Sequence, residues 1–174
     1  EGINLLKEPL EIRNKQTTTL KDGVYTIENP DGKNQSHIVQ VIELNQEKVL
    51  PLTFGAEGKN ESYKGPFSGY YGVRLDLVYT DGTKQEWVNT GCFVNTVEWK
   101  KAERTYIPLK PVKTATFYLQ FIHNKGKVHF RNPVLIQGKV PAEVQVKVQA
   151  RPTVESAIAR FGKLKIGKRD LHID

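Results

Sequence analysis

The 174-residue chain contains no methionine and a single cysteine. The missing methionine extends to position 1, so Glu1 is expected not to be a translation start and the chain to be a piece of something longer. One cysteine, Cys92, excludes an internal disulfide and a structural zinc site, and on the usual behaviour of free cysteine it is expected to be a small buried hydrophobe. No apolar run approaches the roughly 18 residues that a membrane-spanning helix requires. The histidines at 37, 123, 129 and 172 lack metal-ligand spacing, although His123 and His129 straddle a predicted hairpin. No glycine-rich phosphate loop precedes a helical stretch and no serine elbow is present. Positioned acid–base partners are also missing, which disfavours reading the chain as a lyase or hydrolase in its own right.

Charge is present in both signs, with a net value of +7. Residues 1–138 carry 18 Lys and Arg against 15 Asp and Glu, and residues 139–174 carry 8 against 4. More than half of the excess lies in the last fifth of the chain, so the main body lacks the concentrated basic face of a nucleic-acid binder.

What the sequence does have is alternation of period two. Tyr71, Val73, Leu75, Leu77 and Tyr79 alternate with Gly72, Arg74, Asp76 and Val78, the pattern of a strand with one buried face. Asp81-Gly82 supplies residues that tolerate positive φ in a tight turn, and Trp87 then returns beside the strand. Thr114 to His123 repeats the pattern, with Phe117, Leu119 and Phe121 inward. Further strands are expected at Val24–Glu28, His37–Leu44 (a central one), Val49–Phe54, Arg104–Leu109, Val128–Phe130 and Val134–Gln137, and a long surface loop at Gly55–Gly69. Turn signals recur about every ten residues and the first 150 residues show no helical stripe, which predicts an all-β antiparallel sandwich or barrel. Val140–Gln149 alternates as an exposed strand, Thr153–Phe161 has the pattern of one short helix, and Lys163–Asp174 resembles a strand without a partner. The expected organisation is a sandwich module over 1–138 and a C-terminal extension or linker over 139–174.

The aromatics point to chemistry. Tyr63, Phe67, Tyr70, Tyr71 and Trp87 cluster around the expected loop and the hairpin end, while Tyr71, Phe93 and Trp99 are expected in the core. Flat rings flanked by Arg, Asp and Gln are what a glycan site requires. Arg74 and Asp76 on the outward face of the central strand are the charged candidates, with a surface ion pair worth under ~1 kcal/mol as the plainer reading.

These stretches resemble the galactose-binding-domain-like jelly rolls, carbohydrate-binding modules attached to bacterial polysaccharide-degrading enzymes. The resemblance covers roughly residues 4–137. It is carried by Asn4-Leu5-Leu6 with Leu10-Glu11, by Leu75 to Thr83 followed by Trp87, by Phe93 and Trp99, by Lys110-Pro111-Val112-Lys113 and by Phe117 to Ile122. It implies a non-catalytic jelly-roll module that targets an attached glycoside hydrolase or lyase to a polysaccharide, outside the cell or in the periplasm of a bacterium. The basic balance favours an anionic polymer. Arg74, Asp76, Tyr118 and Gln120 would form a binding face of the sheet, with Tyr70 and Trp87 at its rim. The resemblance also implies a structural calcium between Glu11 and the end of the last strand. There the expected acidic pair reads Arg131-Asn132, leaving Asn132 as the ligand and a cation beside it, which weakens a site for a hard dication. The alternative is a structural sandwich that packs on a catalytic domain and binds no sugar, favoured by Arg169 to Asp174, which resembles the lead-in strand of a barrel.

Overall fold

The computed structural model describes residues 2–65 and 70–138. Ten strands run along this stretch: β1 (Glu11–Ile12), β2 (Thr18–Lys21), β3 (Val24–Asn29), β4 (Gln35–Glu43), β5 (Leu52–Lys64), β6 (Tyr70–Tyr79), β7 (Lys84–Asn89), β8 (Lys100–Tyr106), β9 (Val112–Ile122) and β10 (Lys125–Gln137). Turn chemistry sets the reversals. Asp22 and Gly23 both take positive φ between β2 and β3, the two-residue hairpin geometry whose twist matches the flanking strands. Between β6 and β7 only Gly82 takes positive φ. Asp81 acts through its side chain instead, accepting from the Thr83 amide at 3.0 Å and hydroxyl at 2.6 Å, and Lys110 closes on it at 2.5 Å. The carboxyl of Asp81 is held well below its usual range by Lys110, then by Thr83.

The strands form two five-stranded antiparallel sheets, β1-β4-β9-β6-β7 and β2-β3-β10-β5-β8. With β1 and β2 set aside, the cores β4-β9-β6-β7 and β3-β10-β5-β8 are the pairing of a jelly roll, so the fold is an all-β antiparallel jelly-roll sandwich. Among the described residues no helix is long and apolar enough to cross a membrane.

The inward faces meet in one core that includes Tyr71, Val73, Leu75, Leu77 and Tyr79 from β6, Phe117, Leu119 and Phe121 from β9, and Tyr25, Phe54, Phe93 and Phe130 from the rest. Tyr71 lies edge-on to Phe121 and Phe130, at 5.6 and 5.2 Å between ring centroids. Its hydroxyl lies within hydrogen-bond distance of the carbonyls of Lys59 and His129, at 2.7 and 3.2 Å, and its donation there ties the two sheets together and satisfies the phenol inside the core. Burial pushes that phenol well above its usual range.

Five sequence expectations are corrected. The stretch expected as a long loop from Gly55 is strand β5 as far as Lys64. Its glycines answer close approach rather than turning: a Cβ on Gly55 would meet the Ala102 carbonyl at 2.2 Å, and one on Gly58 the Phe93 ring at 2.7 Å. Val128–Phe130 and Val134–Gln137 belong to one strand, β10, whose pairing with β5 shifts around Asn132, itself at φ 50°. Cys92 is exposed. Trp99 is half-buried outside the core and packs on charged side chains of the outer surface. The strand His37–Leu44, expected to be central, is one position from the sheet edge, flanked only by the two-residue β1. Phe67 and the expectations for 139–174 lie outside the described residues.

Candidate functional site

Because side chains alternate across a strand, the residues between the core positions of β4, β9 and β6 form the outer face of the first sheet. Register then places them in rows. His37 lies across from Gln120 and Gly72, Val39 from Tyr118 and Arg74, and Val41 from Thr116 and Asp76. A bulge completes the face. Leu75 pairs with Val88 and Leu77 with Gln85, so Glu86 and Trp87 together oppose the single residue Asp76. Trp87 takes φ 60° there, a conformation that bulky residues rarely adopt and that costs of order 1 kcal/mol. The Asp76 carboxylate holds it, Oδ1 accepting the Trp87 amide N–H at 2.9 Å.

The bulge turns the Trp87 ring over the sheet. The Arg74 guanidinium lies 3.7 Å from the centroid of Trp87 and 4.9 Å from that of Tyr118, between two aromatic rings. Arg74 Nε donates to Asp76 Oδ1 at 2.7 Å and its amino group to Oδ2, a two-point pair whose side chains are only 12% and 15% exposed. Arg74 is thus fixed from three sides. The pair lies within one strand and is largely buried, so it is not the loosely held surface pair of the plainer sequence reading. Trp87 itself is 50% exposed.

Around this trio the groups are mostly uncharged. His37 stands edge-on to Tyr118 at 5.9 Å. Burial, then the positive charges of Arg74 and Arg13, push the imidazole below its usual pKa, so the ring is kept neutral. Burial and the nearby Asp76 carboxylate push the Tyr118 phenol upward. The Gln120 amide is fully buried and, among the described residues, neither its oxygen nor its nitrogen has a partner. Thr116 and the 57%-exposed Val41 complete the surface.

The structure brings Arg74, Asp76, Trp87 and Tyr118 into contact, with Gln120 two positions along β9 from Tyr118. Trp87, expected at the rim, stands over the sheet face. Tyr70 folds back instead. Its hydroxyl donates to the Val73 carbonyl at 2.8 Å, and its ring occupies space that only the missing side chain of Gly72 leaves, since a Cβ there would meet the hydroxyl at 2.7 Å. His37 was not anticipated. The signal was available, because His37 shares the parity of Val39 and Val41 and the register brings it opposite Gln120.

The residues implied for calcium do not fit that ion. Glu11 is in β1 of one sheet and its carboxylate faces Arg13 at 3.8 Å; Asn132 is in β10 of the other. The Asn132 amide nitrogen donates to Glu57, and Arg131 donates to the same carboxylate at 3.0 and 3.3 Å. The donor set there is cationic and amide N–H, the opposite of what calcium takes. Among the described residues no group of three or more His, Cys, Asp or Glu is arranged to hold a metal. His123 and His129 turn to different partners: His123 to Gln35, His129 to Thr26 and Glu61.

No family model matches the sequence, and no curated protein matches it. Solved structures similar in fold include a CBM4 structure, with 12% identity over 74% of this chain and 78% of that one at a TM-score of 0.47. A second is a family 29 carbohydrate-binding module complexed with mannohexaose, with 13% identity over 80% and 88% of the two chains at 0.44. A third is the enzymatically active domain of bacteriophage CBA120 tailspike protein 4, with 10% identity over 66% of this chain and 15% of that one at 0.48.

Proposed function

We propose that this chain binds a polysaccharide through the outer face of sheet β1-β4-β9-β6-β7, with one pyranose ring laid on Trp87. The carrying observation is that a half-exposed indole is held over the sheet in an unfavourable backbone conformation by Asp76, while Arg74 supports it. A ring fixed in advance loses little freedom on binding, and backbone strain of this kind clusters at sites that use it. A sugar's axial C–H groups would stack on Trp87 while its hydroxyls meet the partly exposed Tyr118 and His37.

Binding is favoured over turnover because both Asp76 oxygens are engaged by Arg74, which removes that carboxylate from proton transfer. In this reading the module is non-catalytic and serves an attached polysaccharide-degrading enzyme that acts outside the cell or in the periplasm. Affinity electrophoresis through gels containing a neutral glucomannan, a xylan, a sulfated galactan or polygalacturonate tests it. Retardation in at least one gel, lost in Trp87→Ala, is the expected result; mobility unchanged in every gel refutes it.

A further inference from the structure

The opposite surface of the sandwich carries a second aromatic site that the face just described does not use. Trp99, immediately before β8, lies across the outer face of sheet β2-β3-β10-β5-β8. Two cations rest on its ring: the Arg131 guanidinium at 4.1 Å from the centroid and the Lys59 ammonium at 5.1 Å, with the His129 ring at 6.4 Å. The neighbouring carboxylates are already committed. Glu57 accepts from Arg131 and Asn132, Glu61 from Lys127 and His129, and Glu103 pairs with Lys101 at 2.8 Å. Hydrogen bonds to Arg131 and Asn132 hold the Glu57 carboxyl below its usual range, and those to Lys127 and His129 do the same for Glu61, so both stay ionised and occupied. Among the described residues no carboxylate bridges Lys59, and the second amino nitrogen of Arg131 makes no hydrogen bond within the protein.

Two like charges held against one ring, with one donor group wholly and another partly unpaired, form a place for an anion beside a flat apolar surface. Lys59 is firmly mounted, since its own carbonyl accepts the Tyr71 hydroxyl at 2.7 Å in the middle of the core.

We infer that Trp99, Lys59 and Arg131 form a second site, for a sulfate- or carboxylate-bearing sugar of an anionic polysaccharide, with the anion between the two cations and the sugar ring against the indole. This rests on the polysaccharide reading for the class of polymer, but it uses other residues on the other sheet, so the two fail separately.

Affinity electrophoresis in three gels, containing a sulfated galactan, polygalacturonate or neutral glucomannan, decides it, with thermal melts confirming that each variant is folded. Retardation is expected in the sulfated gel, the uronate gel or both, which tells sulfate from carboxylate. Lys59→Gln and Trp99→Ala each weaken it at least fivefold, whereas the exposed control Lys48→Gln leaves it within twofold. Glucomannan retardation stays unchanged in Lys59→Gln. Should Trp99→Ala fail to fold, Lys59→Gln against Lys48→Gln carries the decision alone. Equal retardation of these two lysine variants overturns the inference, because it reduces the effect to overall charge. So does the absence of retardation in both anionic gels, and so does dependence on Lys59 and Trp99 for single-stranded DNA alone, which would mark a nucleic-acid site.

Discussion

On each outer surface of the sandwich an arginine lies on a tryptophan ring and reaches a carboxylate: Arg74 with Trp87 and Asp76 on one, Arg131 with Trp99 and Glu57 on the other. The two trios share their chemistry and differ in setting. Arg74 and Asp76 are 12% and 15% exposed and hold a strained backbone turn, whereas Arg131 and Glu57 are 36% and 26% exposed and border Lys59, which no carboxylate among the described residues bridges. An ion pair in the first setting is structural support for the ring above it; in the second it is part of a charged surface. The difference teaches that a tryptophan–arginine–carboxylate pattern has no fixed role and that burial decides which one it takes.

The comparison is broken most decisively by removing the arginines. Arg74→Met leaves the Asp76 carboxylate largely buried and uncompensated, an expected loss of about 3–5 kcal/mol. Arg131→Met leaves Glu57 able to reach water and still bonded by Asn132, for a loss under about 1 kcal/mol. Urea unfolding curves measure both, and equal losses would show that the two settings do not differ as described.

Next in size are the rings. Trp87→Ala is expected to weaken binding of a neutral oligosaccharide by about 2 kcal/mol, roughly 30-fold, as for truncation of a central aromatic anchor, while Trp99→Ala leaves it unchanged in calorimetric titration. Trp87→Gly sharpens the point. Glycine adopts positive φ freely, so this variant should lose binding as Trp87→Ala does while retaining or gaining stability by about 1 kcal/mol relative to it, read from the same unfolding curves.

The smallest expected effect concerns pH. His37 is held below its usual pKa, so the unfolded chain takes up its proton first as pH falls. The neutral imidazole's contribution to stability is therefore full above the unfolded value of about 6.5 and is lost as pH falls from there through the lower folded value. His37→Gln should flatten the decline of melting temperature between pH 7 and pH 5. A decline as steep as in the parent protein would place the responsible group elsewhere.

Much of this was legible in the chain itself. Period-two alternation located β6 and β9 and turned Arg74 and Asp76 outward on one strand and Tyr118 and Gln120 outward on the other, because side-chain parity is a local property; that the four share a face came from the resemblance. Asp81-Gly82 located the β6–β7 hairpin, since turn preference is likewise local. What failed depended on neighbours distant in sequence. Gly55 and Gly58 looked like loop residues because the surfaces that exclude their side chains, Ala102 and Phe93, lie tens of residues away. Trp99 was assigned to the core on size alone, without the partners Lys59 and Arg131 that keep it at the surface. The bulge that turns Trp87 from the rim onto the face arises from register against β6, which no local pattern announces. Tyr70 looked like a rim aromatic until Gly72 was seen to make room for it to fold back.

Only two tryptophans occur in the chain, so a proton–nitrogen correlation spectrum shows two indole signals, one per outer surface. Titration with a neutral mannan or xylan hexasaccharide, with the signals assigned through Trp87→Phe and Trp99→Phe, tests the account most directly. The expected result is a saturable shift of the Trp87 indole while that of Trp99 stays in place. A shift of Trp99 alone, or no shift of either across oligosaccharides that retard the protein in gels, would contradict it.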